Sequence, residues 1–238
     1  MDIPEQDAEE LCLAGTAEMA IGGFLKDRIF KEKDLPLKLT AVSRCYRAET
    51  SSLEEEKGIY RVHEFTKVEM FGVTASETGK ESDELHHEFR AIEEKNFKEL
   101  GLQFRILEMP PNELGLSAHR KFDIEAWMPG RNMYGEISSC SNCTDFQSRR
   151  LNIRYKNMDG ELKYVHTVNG TICAVPRTLI ALVETFQDGN GSIKIPNALE
   201  KCMTRSSLSS MAKNPIVKSK FLRTKSQQLK YTSHYREN

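Results

Sequence analysis

Apolar and polar residues alternate over two neighbouring stretches, 35–49 (LPLKLTAVSRCYRAE) and 59–74 (IYRVHEFTKVEMFGVT). A period of two puts successive side chains on opposite faces of a strand. The pattern predicts two strands joined by a polar turn at 50–58, with an irregularity in the second strand. From Ser82 to Leu100 the period becomes helical. Leu85, Phe89, Ile92, Phe97 and Leu100 fall roughly on one face, Ser82 and the acids after it suit an N-terminus, and Gly101 suits a stop. Further strands are predicted at 102–109, 121–128, 134–141 and 161–170, the last leading into a turn. A second helix is predicted over 174–187, followed by a Gly-rich turn. Residues 146–157 fit helix and strand equally, and Gly22–Gly23 interrupt a helical pattern.

Strands joined by short turns, with long helices between groups, predict an α+β fold. Its mostly antiparallel β-sheet is flanked by helices, expected on one side. No GxGxxG opens a helix after a strand, and there is no Walker A run. A nucleotide would have to be held without either phosphate cradle. Trp127 and the 85–100 stripe are expected in the core. His86 and His87 are expected on the polar side of their helix, without a role.

The 238 residues, 39% hydrophobic and 29% charged, suffice for one sizeable core with a tail. The predicted organisation is a frayed end at 1–10, a domain at 11–203 and a basic tail at 204–238. That tail holds eight Lys or Arg against the single acid Glu237, a net +7, which leaves −8 on residues 1–203. No apolar run approaches the roughly 18–20 residues of a membrane span, so no membrane partner is expected. The first ten residues lack both an apolar signal core and the Arg-rich look of a transit peptide. Cys140 and Cys143 form a C-x-x-C without the second pair that a structural zinc site needs. All six cysteines are expected as thiols in a reducing compartment.

Candidate chemistry is densest between Cys45 and Val73, where Arg47, Glu49, Arg61, His63, Glu64, Lys67 and Glu69 surround Phe65. On a strand, Arg47 and Glu49 would share a face. A cation for phosphate beside an acid for an amine suits amino-acid activation, and a solvated ion pair fits equally. Phe65 amid charges reads as a stacking platform for a flat base or as a core residue under a bulge. Glu136 with Ser138 and Ser139 is a hard-oxygen set suited to Mg²⁺ on phosphates, or a turn with local hydrogen bonds. Asn169 and Thr171 are expected on a turn before the second helix, with Arg177 one turn inside it as a candidate γ-phosphate clamp.

Four blocks carry a resemblance when taken in order. "CYRAE … GIYRVHEFTKVEMFGV" resembles motif 2 of the class II aminoacyl-tRNA synthetases, and "NGTICAVPRTLIALVE" resembles motif 3. "GTAE" and "EISSCSNCTDFQSRR" resemble the serine and ATP loops of seryl-tRNA synthetases, in wording similar to the mitochondrial form. The resemblance covers about residues 11–203 and implies a class II catalytic fold.

It further implies ATP-dependent activation of serine and transfer to tRNA(Ser), with ATP as substrate and Mg²⁺ as cofactor. Thr16, Ala17, Glu18, Arg47, Glu69, Asn169 and Thr171 are implied at serine. Arg47, Ala48, Glu49, Arg61, Val62, His63, Phe65, Glu136, Ile137, Ser138, Ser139 and Arg177 are implied at ATP, with Glu136 and Ser139 meeting the metal. Arg47, Glu69 and Arg177 are implied as the catalytic groups. The resemblance also implies a homodimer, contact with the tRNA acceptor end and residence in the mitochondrial matrix. Neither the family's helical tRNA-binding arm nor motif 1 is recognisable before Leu11, which predicts weak tRNA binding and an impaired dimer. The acidic turn at Glu54–Glu56 lies where the family's motif 2 loop approaches tRNA. A catalytically impaired or regulatory paralogue, acting as a binding protein, is the alternative.

Overall fold

The computed structural model describes residues 12–50, 58–200 and 202–203. The predicted frayed end, the acidic turn at 54–56 and the basic tail lie outside the described residues.

The first alternating stretch forms β2 (Leu37–Tyr46), whose residues alternate half-buried and exposed along most of its length. It pairs antiparallel with β3 (Glu64–Thr74), Leu37 opposite Val73 and Tyr46 opposite Glu64. β3 pairs with β9 (His166–Ala174), and the predicted irregularity is a register shift between Val68 and Glu69. β6 (Met133–Thr144), β5 (Arg120–Met128) and β4 (Phe104–Glu108) complete a six-stranded sheet in the order β2-β3-β9-β6-β5-β4. Every pairing in it is antiparallel. A small second sheet joins β1 (Ile29–Lys31) in parallel to β7 (Arg154–Lys156), which pairs antiparallel with β8 (Leu162–Tyr164).

The long helix α2 (Glu81–Glu99) lies across β9, β6 and β3. Gly72 of β3 makes this approach possible: a Cβ there would meet Leu85 Cδ2 at 2.4 Å and Phe89 Cζ at 3.1 Å. α4 (Val175–Phe186) starts directly from β9 with Pro176 in its first turn, where a missing N–H costs nothing. It seats Ile180 and Ala181 with Phe97, Ile124, Ala126, Met128 and Ile137. The opposite face is covered by α1 (Ala17–Leu25), whose Ala17, Ile21 and Leu25 pack with Phe71 and Val73. Met70 points to α2 and Phe71 to α1, as adjacent strand residues must. The expectation of helices on one side therefore holds for α2 and α4 and fails for α1. A short α5 (Asn197–Glu200) follows.

Several sequence readings are corrected. β2 ends at Tyr46 and β3 begins at Glu64, so Arg47, Glu49, Arg61 and His63 stand beyond the paired strands. A turn at 58–60, with Gly58 at φ +81°, delays the return. Asn169 and Thr171 are strand residues inside β9, because neighbours on both sides supply ladder partners. Residues 146–157 divide into α3 (Phe146–Leu151) and β7 around Asn152, at φ 51°. Ser82 is no cap: its buried hydroxyl lies 3.0 Å from His166 Nδ1. His86 is fully buried, stacked on Phe122 with Nε2 2.9 Å from the Cys140 carbonyl. Burial lowers its pKa, which disfavours the charged ring. Trp127 is half-buried against Tyr134 rather than in the core.

The apolar row of α2 also differs from the reading. Ile92 is exposed, and the row Leu85, Phe89, Phe97 at multiples of four passes through Glu93, which is fully buried. Neither of its carboxylate oxygens has a hydrogen-bond partner within the distance and angle limits of a normal hydrogen bond among the described residues. Burial raises its pKa well above the ordinary carboxylate value, an effect the nearby Ser138 only partly opposes.

Candidate functional site

The sheet face opposite α2 carries an open cleft. Its walls come from the segment after β2, the segment before β3, β3 itself, β6 and the β9–α4 junction. Arg47, Glu49, Arg61, Val62, Phe65, Glu136, Ile137, Ser138, Ser139, Thr171 and Arg177 all line it, as the sequence reading expected of a single site. Tyr60, Lys67, Ala174 and Pro176 line it as well. Four cations (Arg47, Arg61, Lys67, Arg177) face two acids (Glu49, Glu136), which suits a polyanion.

The cations are held in place. Arg61 Nη1 pairs with Glu49 Oε2 at 2.9 Å, half-shielded from water. Arg177 donates from Nε to the Tyr60 carbonyl at 3.1 Å, and its guanidinium lies 4.4 Å from the Tyr60 ring centroid. Its Nη1 reaches both the carbonyl and Oε2 of Glu136. The Arg47 guanidinium sits 5.1 Å from the Phe65 ring centroid, so a cation and an aromatic face share one wall. Outside the paired strands, Arg47 N–H donates to the His63 carbonyl at 2.9 Å, and His63 Nδ1 is 3.1 Å from the Arg47 carbonyl. This clasp joins the two segments that carry Arg47 and Arg61.

A second polar cluster adjoins the cleft through Lys67 and Thr171. Thr16 caps α1, accepting the Glu18 N–H, and donates its hydroxyl to Glu69 Oε2 at 2.8 Å. Lys67 pairs with the same oxygen of Glu69. Glu69 lies opposite Thr171 in the β3–β9 ladder. Asn169 Nδ2 donates to Glu18 Oε1 at 2.8 Å, and Gln147 Nε2 donates to that oxygen too. Burial raises the pKa of Glu18; the Gln147 hydrogen bond opposes this, the charge of Glu69 adds to it, and Lys67 and Asn169 oppose it.

Three expected site residues stand apart from both groups. Ala17 is buried in the first turn of α1 and packs against the core. His63 and Ala48 do not line the cleft. The Ser138 hydroxyl is spent on the Thr171 carbonyl at 2.5 Å, which ties β6 to β9. Tyr60, Gln147 and Thr167 carried no expectation, and Lys67, named among the charges around Phe65, carried no assigned role. Lys67 alternates with Phe65 and Glu69, a signal that was available. Gln147 falls in a stretch whose fold the pattern left open, and Thr167 is an uncharged residue of a predicted strand, so neither stood out as a site residue.

Among the described residues no three His, Cys, Asp or Glu converge on a metal position. Glu136 and Ser139 offer hard oxygens on the cleft wall, which fits an ion that takes its other ligands from phosphate and water.

Residues 3–186 match the family model described as the tRNA synthetase class II core domain (G, H, P, S and T). The chain belongs to the class II tRNA synthetase core-domain family. This core domain is 55% identical over 192 residues to the mitochondrial serine–tRNA ligase of Bos taurus, covering 81% of the chain and 37% of the relative. It is 50% identical over 196 residues to the serine–tRNA ligase of Treponema denticola, covering 81% and 46%. Among solved structures it is similar to seryl-tRNA synthetase from Pyrococcus horikoshii complexed with ATP. There the TM-score is 0.77 and the identity 41%, over 82% of this chain and 43% of that one. The synthetase core domain thus spans less than half the length of these relatives. The α+β fold with its antiparallel sheet is the class II catalytic fold.

Proposed function

We propose that this chain carries the catalytic site of a serine–tRNA ligase. The observation that carries the reading is one cation-rich cleft, with an aromatic face, continuous with a carboxylate cluster at Glu18 and Glu69. A nucleoside triphosphate suits the first part and the ammonium of an amino acid the second. The relatives named as serine–tRNA ligases support the choice of amino acid, and the ATP complex of a similar structure supports the nucleotide.

The reaction then has two steps. The serine carboxylate attacks the α-phosphorus of ATP; an acyl–phosphate bond forms, the Pα–O bond to the β-phosphate breaks, and pyrophosphate leaves. The terminal ribose hydroxyl of tRNA(Ser) next attacks the acyl carbon and AMP leaves. No protein nucleophile is required. Arg47 sits where it can neutralise charge at the α-phosphate and hold the serine carboxylate, Phe65 stacks on adenine, and Arg177 faces the outer phosphates. Glu49 and Arg61 fix one another at the base and phosphates, Val62, Ile137 and Ser138 shape the wall around them, and His63 supports the segment that carries Arg47 and Ala48 from outside the cleft. Mg²⁺ entering with ATP, beside Glu136 and Ser139, would supply charge neutralisation on the phosphates.

Glu69, Glu18 and Asn169 take the ammonium side of serine, and Thr16 and Thr171 its hydroxyl side. A site with buried polar groups waiting for a hydroxyl penalises alanine, which leaves them unpaired. Binding of the tRNA(Ser) acceptor end and homodimer formation are proposed for the protein that carries this segment. Residence in the mitochondrial matrix is proposed from the two mammalian mitochondrial relatives, although bacterial relatives are similarly close. No helix among the described residues is long and apolar enough to cross a membrane.

Serine-dependent ATP–pyrophosphate exchange tests activation without tRNA, with threonine and alanine as controls. Exchange with serine at least tenfold above either control is expected. Absence of exchange by folded protein sinks the intact-site reading and leaves the binding-protein alternative.

A further inference from the structure

Gln147 lies in the first turn of α3, on a different element from every residue expected at serine. Its amide nevertheless closes the Glu18 cluster. Thr167, fully buried in β9, donates its hydroxyl to Gln147 Oε1 at 2.6 Å. That bond fixes the amide so that its Nε2 side must face Glu18, where it donates to Oε1. Asn169 donates to the same oxygen. Both amides thus occupy one oxygen of the carboxylate. Glu18 Oε2 takes no hydrogen bond among the described residues, and it is absent from the buried polar atoms that lack partners.

We propose that Gln147, oriented by Thr167, is a positioning residue for Glu18: it pins one carboxylate oxygen and leaves the other aimed as partner for the primary ammonium of the amino acid. The inference rests on the serine-activation reading and deepens it, because it assigns discrimination of the α-ammonium to a side chain that never touches substrate.

The electrostatics of the cluster agree with this geometry. On β3, Glu69 pushes against a negative Glu18 and Lys67 supports it. On β9, Asn169 and, through Gln147, Thr167 support it. On β6, Cys143 is held as a neutral thiol, its pKa pushed up to about 12 by burial first and the charge of Glu18 second. From α1 itself, only the backbone N–H of Glu18 meets Thr16. Burial is the largest effect on Glu18 and opposes its charge, and the Gln147 bond is the largest opposing it. Loss of that bond moves Glu18 toward the protonated form, which no longer attracts an ammonium.

The test uses Gln147→Met, which nearly keeps length and volume and removes both Oε1 and Nε2 of the amide, with Thr167→Val as a second route to the same loss. Folding is checked by melting temperature. Wild-type protein and variants are assayed by ATP–pyrophosphate exchange across pH, and by calorimetric titration with a non-hydrolysable seryl-adenylate analogue. Q147M is expected to raise KM for serine by about ten- to a hundredfold, the size of a lost charge-assisted hydrogen bond. KM for ATP should stay within about twofold, since the ATP cleft is untouched. The acid limb of kcat/KM for serine should move to higher pH, and T167V should give a smaller change in the same direction. Unchanged serine KM and acid limb in a folded Q147M overturn the proposal. So does a parallel rise of both KM values with a fall in kcat, which marks general distortion. A wild-type protein that neither exchanges nor binds the analogue fails the serine-activation reading itself, and the inference falls with it.

Discussion

Arg177 Nη1 donates to both the main-chain carbonyl and Oε2 of Glu136, each at 3.1 Å. The helix that follows β9 is thereby tied to the wall of β6, beside the part of the cleft that the proposed function assigns to phosphates. The pair is only partly shielded, Arg177 being 17% and Glu136 39% exposed, so the arginine is positioned without being sealed from a ligand.

That geometry predicts unequal effects at the two positions. Arg177→Lys loses the planar fork that makes the three contacts, and kcat for exchange should fall by about a hundredfold. Glu136→Gln keeps an acceptor for Arg177 and loses the charge. Its rate should be recovered in part by raised Mg²⁺, a response that a magnesium titration of both variants would separate.

Phe65 faces the Arg47 guanidinium across 5.1 Å. A flat base entering between or beside them would stack on the ring. Phe65→Leu should raise KM for ATP by about tenfold or more, given roughly 1–3 kcal/mol per base stacked on an aromatic side chain. Phe65→Tyr should remain near wild type. Steady-state exchange at varied ATP distinguishes them, and equal ATP KM in the Leu variant contradicts the stacking role.

Gly72 bears on stability rather than chemistry. A methyl there needs space that Leu85 and Phe89 already fill. Gly72→Ala should cost about 1–3 kcal/mol by overpacking. Adding Leu85→Ala should not add its full cavity cost, because the two changes share one space. Urea unfolding of the single and double variants measures the coupling.

Glu93 gives stability a pH dependence of definite sign. Its pKa is raised in the folded state, chiefly by burial, from an ordinary value of 4.5. Below that value both states are protonated and the group contributes no slope. As pH rises, the unfolded chain ionises while folded Glu93 keeps its proton, so stability falls by about 1.4 kcal/mol per pH unit until the folded pKa is reached. Glu93→Gln removes the slope. The stability of E93Q relative to wild type should therefore grow with pH from about 5 upward, as denaturant midpoints at several pH values would show; a constant difference would falsify the buried neutral acid.

The sequence by itself determined the elements whose signal is local. The alternation around Leu39 and Val68, the stripe from Leu85 to Phe97 and the stop at Gly101 each depend on spacing within one segment, and covalent geometry fixes spacing. Motif wording likewise placed Arg47, Phe65, Glu136 and Arg177 in a single site, and they share one cleft. Tertiary structure alone decided the rest. Asn169 looks like a turn residue in its own segment, yet β3 and β6 both bond to β9 and make it a strand. Glu93 looks like one more charge on a helix, until the row from Phe89 to Phe97 carries it under the sheet. Gln147 and Thr167 stand twenty positions apart, one in a stretch that fits helix and strand equally and the other in a predicted strand, and they meet only because α3 folds back on β9. Such contacts depend on register and on which faces pack together, and no local pattern encodes those.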